Sequence, residues 1–291
     1  MNDVEFDFLR SYLKTRSGLA LTGEKRYLVE SRLGPVCRKF NLAGLPQLVA
    51  ALKSSRDAAM ERAVVEAMTT NETFFFRDRT PFDLFKDVLL PEALARRAVQ
   101  RKLRIWCAAA STGQEPYSLA MMLQEAGPRL AGWNVDLVAT DLSTEVLDKA
   151  KAGLYSHFEV QRGLPVQFLV KHFEQIGEQW RISPTLRQMV DYRPLNLLHP
   201  FESLGTFDII YCRNVLIYFD APTKGDVLGR LSASLAPDGA MLLGAAETVI
   251  GLTDKLVPSA QHRGLYNQAP LAARSATMAA ALPPLRRVVG L

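Results

Sequence analysis

The sequence predicts a doubly wound, largely parallel α/β sheet preceded by an all-α region, on two observations. From Val4 to about Val99, apolar residues recur at helical spacing, as in Phe6, Leu9 and Leu13 or Leu45, Leu48, Val49 and Leu52, with no strand-like alternation. From Leu103 the pattern becomes short apolar runs, at 103–107, 135–139, 207–212 and 240–243, separated by helical stretches at 115–125, 144–151 and 221–235. Short, mainly apolar runs without alternation are how buried parallel strands read, because helices cover both faces. A βαβ series of this kind places its ligand at the carboxyl ends of the strands.

Between Tyr155 and Pro194 the alternation breaks. Residues 165–173 read as a helix, and 179–182 and 189–192 are expected to pair as a short antiparallel excursion from the main sheet. From Pro270 the chain is rich in Ala, Pro and Arg with no acidic residue, so 270–291 is expected to be a disordered tail. A length of 291 residues suits two domains, and 48% hydrophobic with 22% charged residues excludes a globally disordered chain. No apolar run approaches the ~20 residues that span a bilayer. The start Met1-Asn2-Asp3-Val4-Glu5 lacks signal-peptide character, so a cytoplasmic protein without membrane insertion is expected. Cys37, Cys107 and Cys212, like His157, His172, His199 and His262, are scattered, which argues against disulfides, zinc or metal catalysis.

The net charge is +5, too mild to demand a nucleic-acid partner, and none is expected. Between Lys25 and Arg62, eight basic residues face three acidic ones, an excess that reads either as a solvated helix face or as a docking surface.

Four segments carry candidate chemistry. In Cys107-Ala108-Ala109-Ala110-Ser111-Thr112-Gly113, a buried strand runs through small residues into a helix whose first position is expected at Pro116. Small side chains let a ligand approach the backbone, yet the lack of GxGxxG leaves less room for a pyrophosphate and argues against NAD. Asp141 ends the next strand, where a carboxylate accepts ribose hydroxyls; capping of the following helix is the other reading, although Ser143 is placed for that. Arg213, Asn214 and Tyr218 follow a central strand at the crevice, although Tyr218 and Phe219 can equally pack into the core. Phe74, Phe75 and Phe76, upstream, read as an apolar hinge that sets Arg77 near the mouth of the sheet.

Those residues resemble the chemotaxis receptor glutamate methyltransferases, the CheR family, over 6–268. The resemblance rests on Thr69-Thr70-Asn71-Glu72-Thr73-Phe74-Phe75-Phe76-Arg77, on 108–118, on Ala139-Thr140-Asp141, on Leu195-Asn196-Leu197-Leu198 and on 212–219. It implies a helical domain at 1–80 and a class I S-adenosylmethionine-dependent methyltransferase domain, Rossmann-like, at 81–269. A small β-subdomain would be inserted within about 155–194. The implied reaction moves a methyl group from S-adenosylmethionine to receptor glutamates, giving methyl esters and S-adenosylhomocysteine. Asn71, Thr73, Arg77, Ala109, Glu115, Asp141, Asn196, Leu197, Arg213 and Asn214 match the family's cofactor-pocket positions, and Ala109 and Ala110 would pass beneath the cofactor.

The implied chemistry needs no general base, since a glutamate is ionised at neutral pH. In-line alignment is the main task and can contribute about 7 to 11 kcal/mol. Arg77 and Tyr218 are assigned to orient the carboxylate. The implied partner is the cytoplasmic helical bundle of chemoreceptors, met by a monomer partly through the basic N-terminal region. Arg32 and Arg38 are expected to steer this encounter without touching cofactor affinity. Two departures from the family stand out. The loop at Gly177-Glu178-Gln179 is shorter than in members that dock to a receptor's tether peptide, which argues against tether dependence. In the second helix Gly34 and Pro35 interrupt a stretch that is more continuously basic in the family, and Pro35 is expected to bend the axis. A nucleotide or small-molecule methyltransferase, or a non-catalytic sensor of the cofactor, are the other readings.

Overall fold

The computed structural model describes residues 1–54 and 57–270. The tail expected from Pro270 lies, from 271 on, outside the described residues. Helix α1 (Asp3–Ser17) starts at a reciprocal capping box between Asn2 and Glu5 and stops at Gly18 with φ +77°. Helices α2 (Arg26–Lys39), α3 (Leu45–Ser54) and α4 (Ala58–Met68) complete the first domain. Their core is the apolar stripe read from the sequence, with Leu9, Leu13, Val29, Leu33, Leu48 and Val64 fully buried. Helix α2 is continuous through Pro35. Burial of Val29, Leu33, Val36 and Cys37 on one face holds it together across the missing N–H.

After the linker come α5 (Thr80–Leu84) and α6 (Leu90–Arg96), joined by a π-type turn at Phe85–Leu89. The second domain then begins with β1 (Lys102–Cys107), α7 (Gln114–Glu125), β2 (Asn134–Asp141) and α8 (Thr144–Ala152). Next are β3 (Leu154–Ser156), α9 (His157–Gln161), α10 (Val166–His172), β4 (Phe173–Ile176), β5 (Gln179–Ile182), α11 (Pro184–Gln188) and β6 (Val190–Pro194). The chain ends with β7 (Phe207–Cys212), α12 (Ala221–Ala233), β8 (Leu235–Leu243), β9 (Leu256–Pro258) and β10 (Leu265–Gln268).

Seven strands form one sheet in the order β6-β2-β1-β7-β8-β10-β9, with β10 antiparallel to both neighbours and the other pairs parallel. The chain leaves β1 toward β2 and returns on the other side at β7. The carboxyl ends of β1 and β7 therefore flank the switch point at which such sheets bind ligands.

The antiparallel excursion exists, but with different members. Strand β5 pairs with β3 and β4, whereas Val190–Pro194 joins the main sheet parallel to β2. Strand β6 is an edge strand with Val190 and Tyr192 buried and Asp191 and Arg193 exposed, so its sequence alternates like a half-exposed antiparallel strand.

The two domains are stitched together beside the sheet. Lys14 pairs with Asp220 at 2.6 Å, the Asn196 amide donates to the Arg16 carbonyl at 2.7 Å, and the Ala20 N–H donates to the Tyr218 carbonyl at 2.8 Å. Glu66 accepts from both the N–H and the hydroxyl of Thr144. The Lys14 ammonium, helped by Thr223, holds the Asp220 carboxyl down at about 2. Because the folded value lies below the unfolded one, near 3.9, the stability from this contact is complete above that value and disappears as the pH falls toward about 2. Asp220→Asn keeps the cap on α12 but loses the ion pair. Its thermal midpoint should lie below that of the parent near neutrality and converge with it in acid; a constant offset at every pH would contradict this.

Candidate functional site

The site grows from the end of β1. Ala108 and Ala109 leave space above the strand, and Ser111 then turns into the left-handed region at φ +49°. This turn points the Ser111 N–H at Asp141 Oδ2, 2.8 Å away, and its hydroxyl at the Asn71 carbonyl, also 2.8 Å. Gly113 follows at φ +95°, where a Cβ would lie 2.7 Å from the Tyr192 hydroxyl oxygen and 2.9 Å from the Ala150 Cβ, so only glycine fits. That left-handed residue lets α7 begin at Gln114, so Pro116 is its third residue, not its first. The missing N–H of Pro116 is still harmless there, within the first turn.

Asp141 is buried, and its Oδ1 accepts the Ser143 N–H at 3.0 Å. Burial pushes its carboxyl above the usual range, against the pull of the Ser143 and Ser111 amides. Ser143 caps α8, as its sequence position suggested.

At the end of β7, the Arg213 side chain is 1% exposed. Its guanidinium donates to Glu115 at 2.8 Å, to Asp78 at 2.7 Å and to the Arg77 carbonyl at 2.9 Å. Burial raises the Glu115 carboxyl above its ordinary value, while Arg213 and the Cys107 thiol oppose the rise. Asn214 then enters the left-handed region at φ +58°.

The linker forms the opposite wall. Phe75 is fully buried, edge-on to the Tyr155 and Phe173 rings at 5.1 and 5.6 Å, and Phe76 stacks on Phe168 at 5.4 Å. These anchors, with Gly163 packed so closely that a Cβ would sit 2.2 Å from the Phe75 carbonyl oxygen, fix the segment that carries Arg77. Arg77 donates to the Glu72 carbonyl at 2.7 Å.

Asn71, Thr73, Arg77, Ala109, Glu115, Asp141, Asn196, Leu197, Arg213, Asn214 and Tyr218 all line this one cleft. Ala110 does not; it is buried beneath the turn. Sequence reasoning missed Ser17, Leu19 and Met68, by which, with Thr69 and Thr70 of the linker motif, the cleft is closed on one side. It also missed Asp78, which holds Arg213, and Glu247, whose carboxylate binds the backbone after β7. A linker aspartate and a glutamate in a small-residue loop carry no spacing signal.

Arg32 departs from its expected role. Its guanidinium donates to the Met68 and Thr69 carbonyls at 3.0 and 2.7 Å and to the Thr70 hydroxyl at 3.1 Å, so it clamps a wall of the cleft. Lys25, Arg38, Lys39 and Arg62 remain exposed.

The family described as "CheR methyltransferase, all-alpha domain" matches residues 4–69, and "CheR methyltransferase, SAM binding domain" matches 71–264. "Chemotaxis protein methyltransferase 1" of Vibrio cholerae is 43% identical over 88% of this chain and 93% of its own length. The protein of that name from Pseudomonas aeruginosa is 43% identical over 87% and 93%, and "Chemotaxis protein methyltransferase" of Escherichia coli 36% over 85% and 85%. This chain belongs to the CheR methyltransferase family, and its cofactor is S-adenosylmethionine.

With Arg32 holding the Thr69 and Thr70 wall, Arg32→Glu should weaken S-adenosylhomocysteine binding by roughly tenfold, ~1.4 kcal/mol. Arg38→Glu should leave it unchanged. Calorimetry giving equal affinities for the two variants would return Arg32 to the solvated surface.

Proposed function

We propose that this chain transfers methyl groups from S-adenosylmethionine to glutamate side chains on the cytoplasmic helical bundle of chemoreceptors. The products are glutamate methyl esters and S-adenosylhomocysteine. The observation that carries the reading is the placement of a cation, Arg77, and a phenol, Tyr218, on the same cleft as the donor set expected to hold the cofactor. That set suits an amino-acid nucleoside: the carboxylates of Asp141 and Glu115 for hydroxyl and ammonium groups, the amides of Asn71, Asn196 and Asn214, and the small floor of Ala108 and Ala109. Similarity to proteins named for chemotaxis methylation along nearly their whole length supports the choice of acceptor.

When bound, the cofactor supplies a sulfonium methyl that is already activated. The acceptor carboxylate is ionised at neutral pH, so no proton has to move and the chain's residues act by orientation. Arg77, anchored by the buried phenylalanines and by Glu72, pairs with the incoming carboxylate; Tyr218 offers its hydroxyl from the other wall. Exposed Lys25, Arg38, Lys39 and Arg62 steer the acidic surface of glutamate-bearing helices through a field that salt screens over about 8 Å at physiological ionic strength. Docking without a tether peptide is supported by the tight turn at Gly177 and Glu178 between β4 and β5.

The test is incubation with methyl-labelled cofactor and either receptor fragments or total RNA. Base-labile label on receptor fragments is expected; label in RNA, or none, would overturn the reading. Within it, Tyr218→Phe should lower kcat about tenfold or more while KM for the receptor fragment changes less. An unaltered kcat would return Tyr218 to a packing role.

A further inference from the structure

We infer that Glu247 is a positioning residue for methyl transfer, its carboxylate gathering five backbone N–H groups so that Asn214 and Tyr218 are held in the cleft. The inference rests on the function proposed above. Glu247 Oε2 accepts from Gly244 at 2.7 Å and Asn214 at 2.8 Å; Oε1 accepts from Leu216 at 2.7 Å, Val215 at 3.0 Å and Ile217 at 3.3 Å. A carboxylate offers about four lone-pair sites, so this one is saturated by the backbone and has nothing left for a ligand.

The need for such an acceptor follows from the path of the chain. Beyond Cys212 the strand ends, Asn214 turns left-handed, and a single 3₁₀ turn at Leu216–Tyr218 follows. The N–H groups of residues 214–217 therefore fall where neither a sheet nor a helix supplies carbonyls, and without another acceptor they would be left unpaired. Glu247 arrives from the neighbouring strand β8 through Gly244, where any Cβ would lie 2.7 Å from Glu247 Oε2 and 2.9 Å from the Asn214 nitrogen. The ends of β7 and β8 thus meet closely around this carboxylate. On its far side the same turn is held by the Ala20 N–H on the Tyr218 carbonyl, so Tyr218 is clamped from both domains.

Glutamate is specified over glutamine by donor count. A glutamine would aim its NH₂ at either the two donors now on Oε2 or the three on Oε1, setting donors against donors. Glu247→Gln is therefore nearly isosteric yet should free the turn.

The experiment uses the full chain, with hydrogen exchange over 213–219, S-adenosylhomocysteine calorimetry and methyl transfer to receptor fragments. Glu247→Gln should cut exchange protection of residues 214–217 by about tenfold or more. It should weaken S-adenosylhomocysteine through Asn214, and lower kcat by roughly thirtyfold with less than about threefold change in receptor KM. In a Tyr218→Phe background the further loss of kcat should shrink to about threefold or less, because the hydroxyl being positioned is gone. Lost protection with normal kcat, or an equal loss of kcat in both backgrounds, would overturn the inference as a purely structural role. Should Glu247→Gln not fold, Gly244→Ala intrudes on the same junction and is read identically. If the parent chain methylates no receptor fragment, the proposed function fails; the inference is then judged on the other two arms, where unchanged protection or unchanged S-adenosylhomocysteine affinity overturns it and loss of both supports it.

Discussion

The buried guanidinium of Arg213 is the constraint on which the rest of the site depends. Its side chain is taken almost wholly out of water, and this is tolerable only because Glu115, Asp78 and the Arg77 carbonyl meet it together. Breaking a buried pair by removing one partner costs about 3–5 kcal/mol, since the remaining charge is left uncompensated. Glu115 belongs to helix α7, and Asp78 and the Arg77 carbonyl to the linker. A single side chain at the end of β7 thus fixes the linker across the mouth of the sheet, and the linker in turn brings the helical domain against the switch point.

From that arrangement the cleft acquires walls of different origin. The sheet contributes its floor through Ala108 and Ala109 and its carboxylates through Asp141 and Glu115, both raised by burial. The helical domain adds Ser17, Leu19 and Met68, and Arg32 on α2 holds the Thr69 and Thr70 edge. The inserted three-stranded sheet supports the linker from behind, through the packing of Tyr155 and Phe173 on Phe75 and the close approach of Gly163. The cleft is thus the property of neither domain alone, and Arg32 on the basic helix reaches it through the Thr69 and Thr70 edge.

Much of this was legible in the sequence where one cause dominates. Strands buried on both faces, such as Phe207–Cys212, wrote short runs that are apolar apart from a single charge, Asp208 here, and helices with one apolar stripe wrote a 3.6-residue period. The small-residue turn at 108–111, Asp141 and the Arg213-Asn214 pair stood out because each sits at a strand end. Other features depend on partners distant in sequence. Arg32 looks like any other cation on a solvated helix until the end of α4 turns its carbonyls toward it. Strand β6 mimics an antiparallel strand because an edge position exposes alternate residues. Glu247 lies in a loop of glycine and alanine, and four of its five donors come from a segment some thirty residues away.

The lining of the cleft by both domains predicts that the cofactor binds between them rather than on the sheet alone. Hydrogen exchange of the full chain with and without S-adenosylhomocysteine tests it most directly. Added ligand is expected to protect the turn at 108–111, the segment at 195–197, the linker at 69–77 and residues 17–20 of the helical domain together. Protection confined to the sheet segments, with the linker and residues 17–20 unchanged, would contradict it.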